Sequence, residues 1–401
     1  MRYGGPVFTA ENFNRGEMRF GTQVTRALLD RLSCPDKKLK IIHVAGSNGK
    51  GSVCEYMTRI LIAAGKRTGT FTSPAVYDYC EQFTVDGVPL THDKVNGYID
   101  KVLSVSDGLS PTAFETETAA AFYAFYKEGC EYAVIECGLG GLTDATNAAE
   151  NKLVAIINSV SLEHTAYLGD TVEKICAQKA GIIRGCPAVV NSLQTEAAEK
   201  YFRSVGAEIA EAPRETVYGD NTAFSVGGER YVTKMLGHAQ PYNAAAAIAA
   251  AHAIGIDGKA IKKGISEADL RGRIEVIISG GVKYVLDGAH NPAAFAPVCG
   301  FLKNENPENV TAVYGCLSDK DIDGCLKRLS ATAENVICVR CPSPRALSAD
   351  DVYAACAKYF KRVIKADGIA AALDKAKTGT VAVCGSFTLL KEARSWIEKR
   401  L

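Results

Sequence analysis

The stretch Lys40-Ile-Ile-His-Val-Ala-Gly-Ser-Asn-Gly-Lys-Gly-Ser52 constrains the fold of this chain more than any other. Ile41, Ile42, Val44 and Ala45 read as a short buried strand, Gly46, Gly49 and Gly51 as a turn without β-carbons, and a helical pattern runs from near Lys50 to about Ala64. A glycine-rich turn between strand and helix lets backbone N–H groups converge on an anion, and the helix N-terminus adds its partial positive charge. Lys50 supplies a full charge for phosphate oxygens, and Ser52 a hydroxyl able to meet phosphate or its magnesium. The spacing departs from the usual Walker pattern. Only Ser47 and Asn48 separate Gly46 from Gly49, and Gly51 stands between Lys50 and the hydroxyl. The alternative is a strand–turn–helix connection whose glycines serve packing alone. The working reading is a nucleoside triphosphate site.

A chain of 401 residues is too long for one typical core and suggests two or three domains. Its 47% apolar and 23% charged content are those of an ordinary globular protein. A net charge of +1 gives no electrostatic reason to expect nucleic acid or an acidic membrane surface. The longest apolar run, Ala244 to Ala251, is too short to span a bilayer. The first residues lack the basic and apolar regions of a secretory signal. The 14 cysteines follow no framework spacing and read as reduced and mostly buried, and a metal role for Cys338 and Cys341 lacks a second pair. A cytoplasmic monomer with small-molecule partners is expected.

Strands are predicted at Thr68–Phe71, Tyr132–Ile135, Val154–Ile157 and Ala188–Val190, with helices at Thr22–Leu32, Asp93–Ser104, Glu115–Tyr126, Thr171–Ala180 and Asn243–Ile254. Asp86-Gly87 and Gly227-Gly228 mark turns. Beyond Arg271-Gly272-Arg273 the pattern restarts, with strands near Tyr284–Leu286, Thr311–Tyr314, Val336–Val339, Val363–Ile364 and Val381–Val383. The fold class is α/β: a mostly parallel-sheet ATPase domain carrying the phosphate loop over 1–270, a connector at 271–273, and a smaller Rossmann-like α/β domain over 274–401. Ligands of parallel sheets gather at the carboxyl ends of strands, and Ser52, Ser73, Glu136 and His164 all sit just after such strands.

Glu136, followed by glycines, is placed to hold Mg²⁺ beside a phosphate chain, or else is a surface acid capping a loop. His164 is either a ligand or a hydrogen-bonded structural histidine. Lys179 taken alone is a solvated helix-end lysine. Asp287-Gly-Ala-His-Asn-Pro292 is either a site or a turn with an Asn-Pro stop.

The phosphate loop, Thr72-Ser73-Pro74, the Glu136 segment, the His164 segment, Lys179-Ala-Gly and the Asp287 segment occur in an order that resembles folylpolyglutamate synthase and dihydrofolate synthase, of the Mur ligase superfamily. The resemblance runs from about Arg19 to the C-terminus and takes in Asn243-Ala244, Gly272-Arg273, Asp319-Lys-Asp321 and Gly385-Ser386. It implies that Gly46, Ser47, Asn48, Gly49, Lys50, Gly51 and Ser52 cradle the ATP phosphates, and that Asn243, Arg273 and Asp287 contact ATP. It implies that Ser73, Glu136 and His164 bind magnesium, with two ions expected. Lys179 corresponds to a lysine carbamylated in that family, and His290 is expected near the glutamate end of the reaction. Lys50, Lys179 and His290 are thus the catalytic candidates. The implied activity is ATP-dependent joining of L-glutamate to the carboxylate of a folate or dihydropteroate. The alternatives are a ligase acting on a UDP-muramyl peptide and a nucleotide-binding regulator without catalysis. Departures fall at Ala75-Val76 after Pro74, at Glu17-Met-Arg-Phe-Gly21 and at Gly237-His-Ala-Gln240, where the acceptor rather than the phosphates is expected.

Overall fold

The computed structural model describes residues 19–401, so Glu17 and Met18 of the Glu17–Gly21 departure lie outside the described residues. The chain divides into two compact units. The first holds the described residues up to Val217 with Ala223–Lys234 and Ala239–Ala268, and the second holds Tyr218–Thr222, Met235–His238 and Asp269–Leu401.

The first unit is built on eight strands: β1 (Lys40–Ala45), β2 (Thr68–Phe71), β3 (Phe83–Val85), β4 (Val88–Pro89), β5 (Tyr132–Glu136), β6 (Lys152–Ile157), β7 (Ala188–Val190) and β8 (Glu208–Ile209). Their order is β4-β3-β2-β5-β1-β6-β7-β8, so β1 lies near the middle of the sheet. The run from β2 to β8 is parallel, while β3 is antiparallel to β2 and to β4. Asp86 and Gly87 make the β3–β4 hairpin with φ of 50° and 74°, the paired left-handed conformation such a turn needs. Central parallel strands are covered on both faces, which is why β1 and β6 read as apolar runs.

Helices α1 (Gln23–Arg31), α2 (Lys50–Ala63), α3 (His92–Leu103), α4 (Ala113–Lys127), α5 (Thr165–Leu168), α6 (Val172–Ala180), α7 (Glu196–Ser204), α8 (Gln240–Ala253) and α9 (Gly258–Glu267) complete this unit. α4 starts two residues before the predicted Glu115, because Thr112 and Glu115 form a reciprocal capping box. α8 is the alanine-rich run, with Ala244 to Ala247 fully buried against α2 and the strands. Its small side chains allow that close packing. Gly264 of α9 faces the α2 backbone at Ile60 so closely that a β-carbon would collide with it. Among the described residues no helix is long and apolar enough to cross a membrane. A three-stranded sheet of β9 (Arg214–Tyr218), β10 (Thr222–Val226) and β11 (Glu229–Thr233) turns at Gly227-Gly228, as the sequence indicates.

The second unit has a six-stranded sheet of β12 (Glu275–Ser279), β13 (Val282–Leu286), β14 (Val310–Tyr314), β15 (Asn335–Cys338), β16 (Arg362–Lys365) and β17 (Thr380–Cys384), in the order β12-β13-β17-β14-β15-β16. All neighbours are parallel except β12 with β13. The sequence pattern does not reveal β12. It is an edge strand whose Ile278 is 69% exposed, so it lacks a continuous buried run. Val285, Phe295, Val310, Tyr314, Leu326 and Val352 belong to the core of this unit.

Candidate active site

Four neighbouring strands of the first unit, β2, β5, β1 and β6, deliver their carboxyl ends side by side. Val44 of β1 pairs with Glu136 of β5, and Ala45 with Ile157 of β6, so Gly46, Cys137 and Asn158 leave the sheet together. Gly49 caps α2 with φ 75°, and Lys50 opens the helix with its Nζ 3.2 Å from the Gly46 carbonyl. A β-carbon on Gly49 would strike the side-chain amides of Asn158 and Asn243, so the glycine is required for space as well as for conformation. The loop is tied down at several points. Ser47 N–H donates to the Ser159 carbonyl at 2.8 Å, and the Ser47 hydroxyl accepts from Ser161 N–H at 3.0 Å. Asn158 Nδ2 donates to the Asn48 carbonyl at 2.8 Å.

Behind the loop runs a chain of buried amides. Asn191 Nδ2 donates to Asn158 Oδ1, Asn158 Nδ2 donates to Asn243 Oδ1 at 2.9 Å, and Asn243 Nδ2 donates to Gln240 Oε1 at 3.2 Å. Gln240 Nε2 then reaches the Ser52 hydroxyl at 3.3 Å. Satisfied buried amides of this kind fix one another's orientation, and here they fix both ends of the loop. Asn243 and Ser52 were expected at the triphosphate. Asn158 and Asn191 were not, although Asn158 follows β6 as Gly46 follows β1.

Ser73 N–H donates to Glu136 Oε2 at 3.2 Å, joining the residues that end β2 and β5. His164, with φ 46°, precedes α5 and lines a cleft together with Gly46, Lys50, Cys137, Gly138, Leu139, Gly140 and Glu163. Lys179 is not the solvated residue that its sequence position alone suggests. It is 1% exposed, and its Nζ donates to Glu163 Oε1 at 2.9 Å. Burial lowers the Lys179 pKa, and the nearby Lys50 charge lowers it further, against the pull of Glu163. Burial raises the Glu163 pKa, but Lys179 and Lys50 outweigh it and hold the carboxyl below its usual range. Sequence reasoning missed Glu163, whose only signal was its place next to His164. Cys137 Sγ lies 3.1 Å from His43 Nε2, which is 2.8 Å from Thr146 Oγ1. Burial pushes the thiol up to about 12 and keeps His43 neutral, so this trio forms no thiolate nucleophile.

Arg273, Asp287 and His290 cluster within the second unit. Asp287 follows β13, and its carboxylate accepts from Ile274 N–H at 2.8 Å and Ala289 N–H at 2.7 Å. Burial raises its pKa to about 6 against the opposing charge of Arg273. The Arg273 guanidinium lies 4.2 Å from the Phe387 ring centre, and His290 meets the same ring edge-on while contacting the Gly288 carbonyl at 2.9 Å. The Asp287 hexapeptide is therefore a fixed carboxylate at a strand end, with Asn291 capping α10 (Pro292–Leu302).

The parallel sheet, the phosphate loop and the acid–lysine cleft define a P-loop ATPase unit, followed by a second α/β unit. Residues 44–251 match the Mur ligase middle domain, and residues 272–387 match the Mur ligase glutamate ligase domain. The dihydrofolate synthase/folylpolyglutamate synthase of Escherichia coli is 32% identical over 97% of this chain and 94% of its own length. A bifunctional folylpolyglutamate synthase/dihydropteroate synthase of Haloferax volcanii is 32% identical over 98% of this chain, which spans 50% of that longer protein. Among solved structures, E. coli FolC in complex with DHPP and ADP superimposes with a TM-score of 0.84 at 30% identity, covering 96% of this chain and 94% of that one. A bifunctional folylpolyglutamate synthase/dihydrofolate synthase with Mn, AMPPNP and L-glutamate bound gives 0.83 at 29% identity, covering 96% of each. The chain belongs to the folylpolyglutamate synthase/dihydrofolate synthase family of the Mur ligase superfamily.

Proposed function

We propose that this chain is an ATP-dependent ligase joining L-glutamate to the carboxylate of a folate or dihydropteroate. The observation that carries this reading is the cleft itself. Adjacent strand ends set the Lys50 loop beside the end of β5 at Glu136, and the Glu163–His164 segment lines the cleft with Lys50, Glu163 pairing with the buried Lys179. Relatives named for those two synthases, and related structures holding ADP, AMPPNP, Mn and L-glutamate, support this choice of substrates.

A carboxylate has no good leaving group. Its oxygen first takes the γ-phosphoryl group of ATP, giving an acyl phosphate and ADP; the glutamate amine then attacks that carbonyl and phosphate departs. Gly46 to Ser52 turn N–H groups and the start of α2 toward the phosphates, and Lys50 offsets the charge on the transferring group. Asn158, Asn243 and Gln240 hold that loop in place.

The donor set of Ser73, Glu136 and His164, two oxygens and an imidazole with Glu136 already anchored by the Ser73 amide, suits magnesium or manganese. Two magnesium ions held there, when bound, would neutralise the triphosphate and polarise its γ-phosphoryl oxygen. Lys179, with its pKa lowered by burial, keeps more of the neutral amine that could add carbon dioxide with loss of a proton, and such a carbamate would offer the metal a further oxygen donor. Asn243, Arg273 and Asp287 are assigned to ATP, and His290 to the glutamate end of the reaction.

The test is phosphate release by the purified protein with ATP, magnesium and labelled glutamate, offered dihydropteroate, tetrahydrofolate and a UDP-muramyl peptide in turn. Release dependent on both glutamate and a pterin acid supports the reading. Release with the muramyl nucleotide alone overturns it.

A further inference from the structure

Away from the cleft, Asp78, Cys80 and His92 form a second cluster of metal-ligating side chains. One ligand atom from each lies within 4.8 Å of the other two. Asp78 precedes the short turn Tyr79–Gln82 and caps it, its Oδ1 accepting from Cys80 N–H at 2.9 Å. His92 is the first residue of α3, and its Nε2 lies 2.8 Å from Asp78 Oδ1 and 3.0 Å from Oδ2. Cys80 is only 3% exposed, while the Asp78 and His92 side chains are 46% and 42% exposed. The neighbouring acid Glu81 is turned elsewhere, its Oε2 accepting from Val76 and Tyr77 N–H at 3.2 and 2.9 Å. Tyr79 likewise points away, its hydroxyl donating to Glu117 at 2.7 Å.

We propose that Asp78, Cys80 and His92 bind a zinc-class divalent cation at a site separate from the ligase centre. A thiolate, an imidazole and a carboxylate are the ligands zinc takes, and a soft sulfur donor selects against magnesium. A tetrahedral zinc site spaces its ligand atoms by roughly 3.5 Å, so Asp78 and His92 separate by about 0.5–0.7 Å and Cys80 Sγ, within 4.8 Å of both ligand atoms, adjusts to the same spacing to admit the ion. Three protein ligands with an exposed side leave the fourth position to water. Binding replaces the S–H bond of Cys80 with a metal–sulfur bond, and the proton passes to solvent. The ion joins the segment that follows Ser73 to the start of α3, a cross-link between stretches separated by the β3–β4 hairpin. This proposal does not depend on the ligase reading, whose metal residues are Ser73, Glu136 and His164.

The experiment titrates the full chain, with magnesium in excess, using Zn²⁺ against a chromophoric chelator and Co²⁺ as a spectroscopic probe. The wild type is expected to bind one Zn²⁺ that magnesium does not displace. It should show a near-ultraviolet sulfur-to-cobalt charge-transfer band, and its thermal midpoint should rise with zinc. Cys80→Ser and His92→Gln are expected to weaken zinc at least about tenfold, and Cys80→Ser to remove the band. Cys34→Ser and Cys186→Ser, at the two partly exposed thiols, should change neither. Asp78→Asn, at an exposed position, provides a third loss should Cys80→Ser fail to fold. Zinc binding and a cobalt band that survive in Cys80→Ser, or no zinc bound by the wild type, overturn the proposal. Loss of ligase activity in Glu136→Ala leaves this result untouched, so the two readings fail separately.

Discussion

Lys179 Nζ donates to Glu163 Oε1 at 2.9 Å, with the lysine 1% exposed and Glu163 lining the proposed triphosphate cleft. Removing one member of a buried pair leaves the other charge uncompensated, at a cost on the order of 3 kcal/mol. Glu163→Gln is therefore expected to lower unfolding stability by about that amount at neutral pH. Glu163 titrates below its usual 4.5, so its contribution is complete above that value and disappears as pH falls through the lowered one. Urea unfolding across this range should show the gap between wild type and variant closing in acid. A gap that is constant with pH would assign the loss to packing instead.

Gly49 and Gly65 have nearly the same backbone conformation, with φ of 75° and 72°, but different surroundings. A β-carbon on Gly65 meets nothing within 4 Å, whereas one on Gly49 strikes Asn158 and Asn243. Each alanine variant costs about 1–2 kcal/mol for the left-handed conformation. Only Gly49→Ala displaces the amides that hold the loop, and it should weaken ATP binding at least about tenfold. Calorimetric titration of both variants separates conformational strain from the contact; equal affinities would remove the amide chain from the account.

Glu136 accepts a hydrogen bond from the Ser73 amide at 3.2 Å. Glu136→Ala should raise the magnesium or manganese concentration for half-maximal turnover at least about tenfold, as loss of a carboxylate ligand demands. An unchanged metal requirement takes Glu136 out of the site.

The parallel sheet and the phosphate loop were legible because apolar runs followed by glycine report strand ends directly. Ser73 and Glu136 were read at strand ends, where β2 and β5 have them, whereas His164, read as following a strand, lies seven residues past the end of β6 at the start of α5. Lys179 was not: one residue next to Ala-Gly reads as solvated, and only tertiary packing shows it buried against Glu163. Asn158 and Asn191 were hidden for a related reason, since a polar residue after a strand resembles any loop residue until its partners are known. β12 was missed because a half-exposed edge strand has no periodic apolar pattern.

Asp287 makes the opposite pH contribution to Glu163. Its pKa rises from 3.8 to about 6 on burial, so the folded state binds more protons than the unfolded between those values. Its burden on stability is absent below 3.8, grows as pH rises through this window and is complete above about 6. It amounts to roughly 3 kcal/mol for a shift of this size. Asp287→Asn carries no such charge and should lose less stability than the wild type between acid and neutral pH. Parallel slopes in thermal or urea unfolding would place the Asp287 titration elsewhere.

The central claim is that the acceptor carboxylate is activated by phosphoryl transfer at the Lys50 loop. It is tested most directly with an acceptor whose terminal carboxylate carries ¹⁸O, followed by mass analysis of the phosphate released during glutamate-dependent turnover. The account predicts transfer of one labelled oxygen into each phosphate, and loss of that turnover in Lys50→Ala. Unlabelled phosphate from productive ligation, or ordinary turnover in Lys50→Ala, would contradict it.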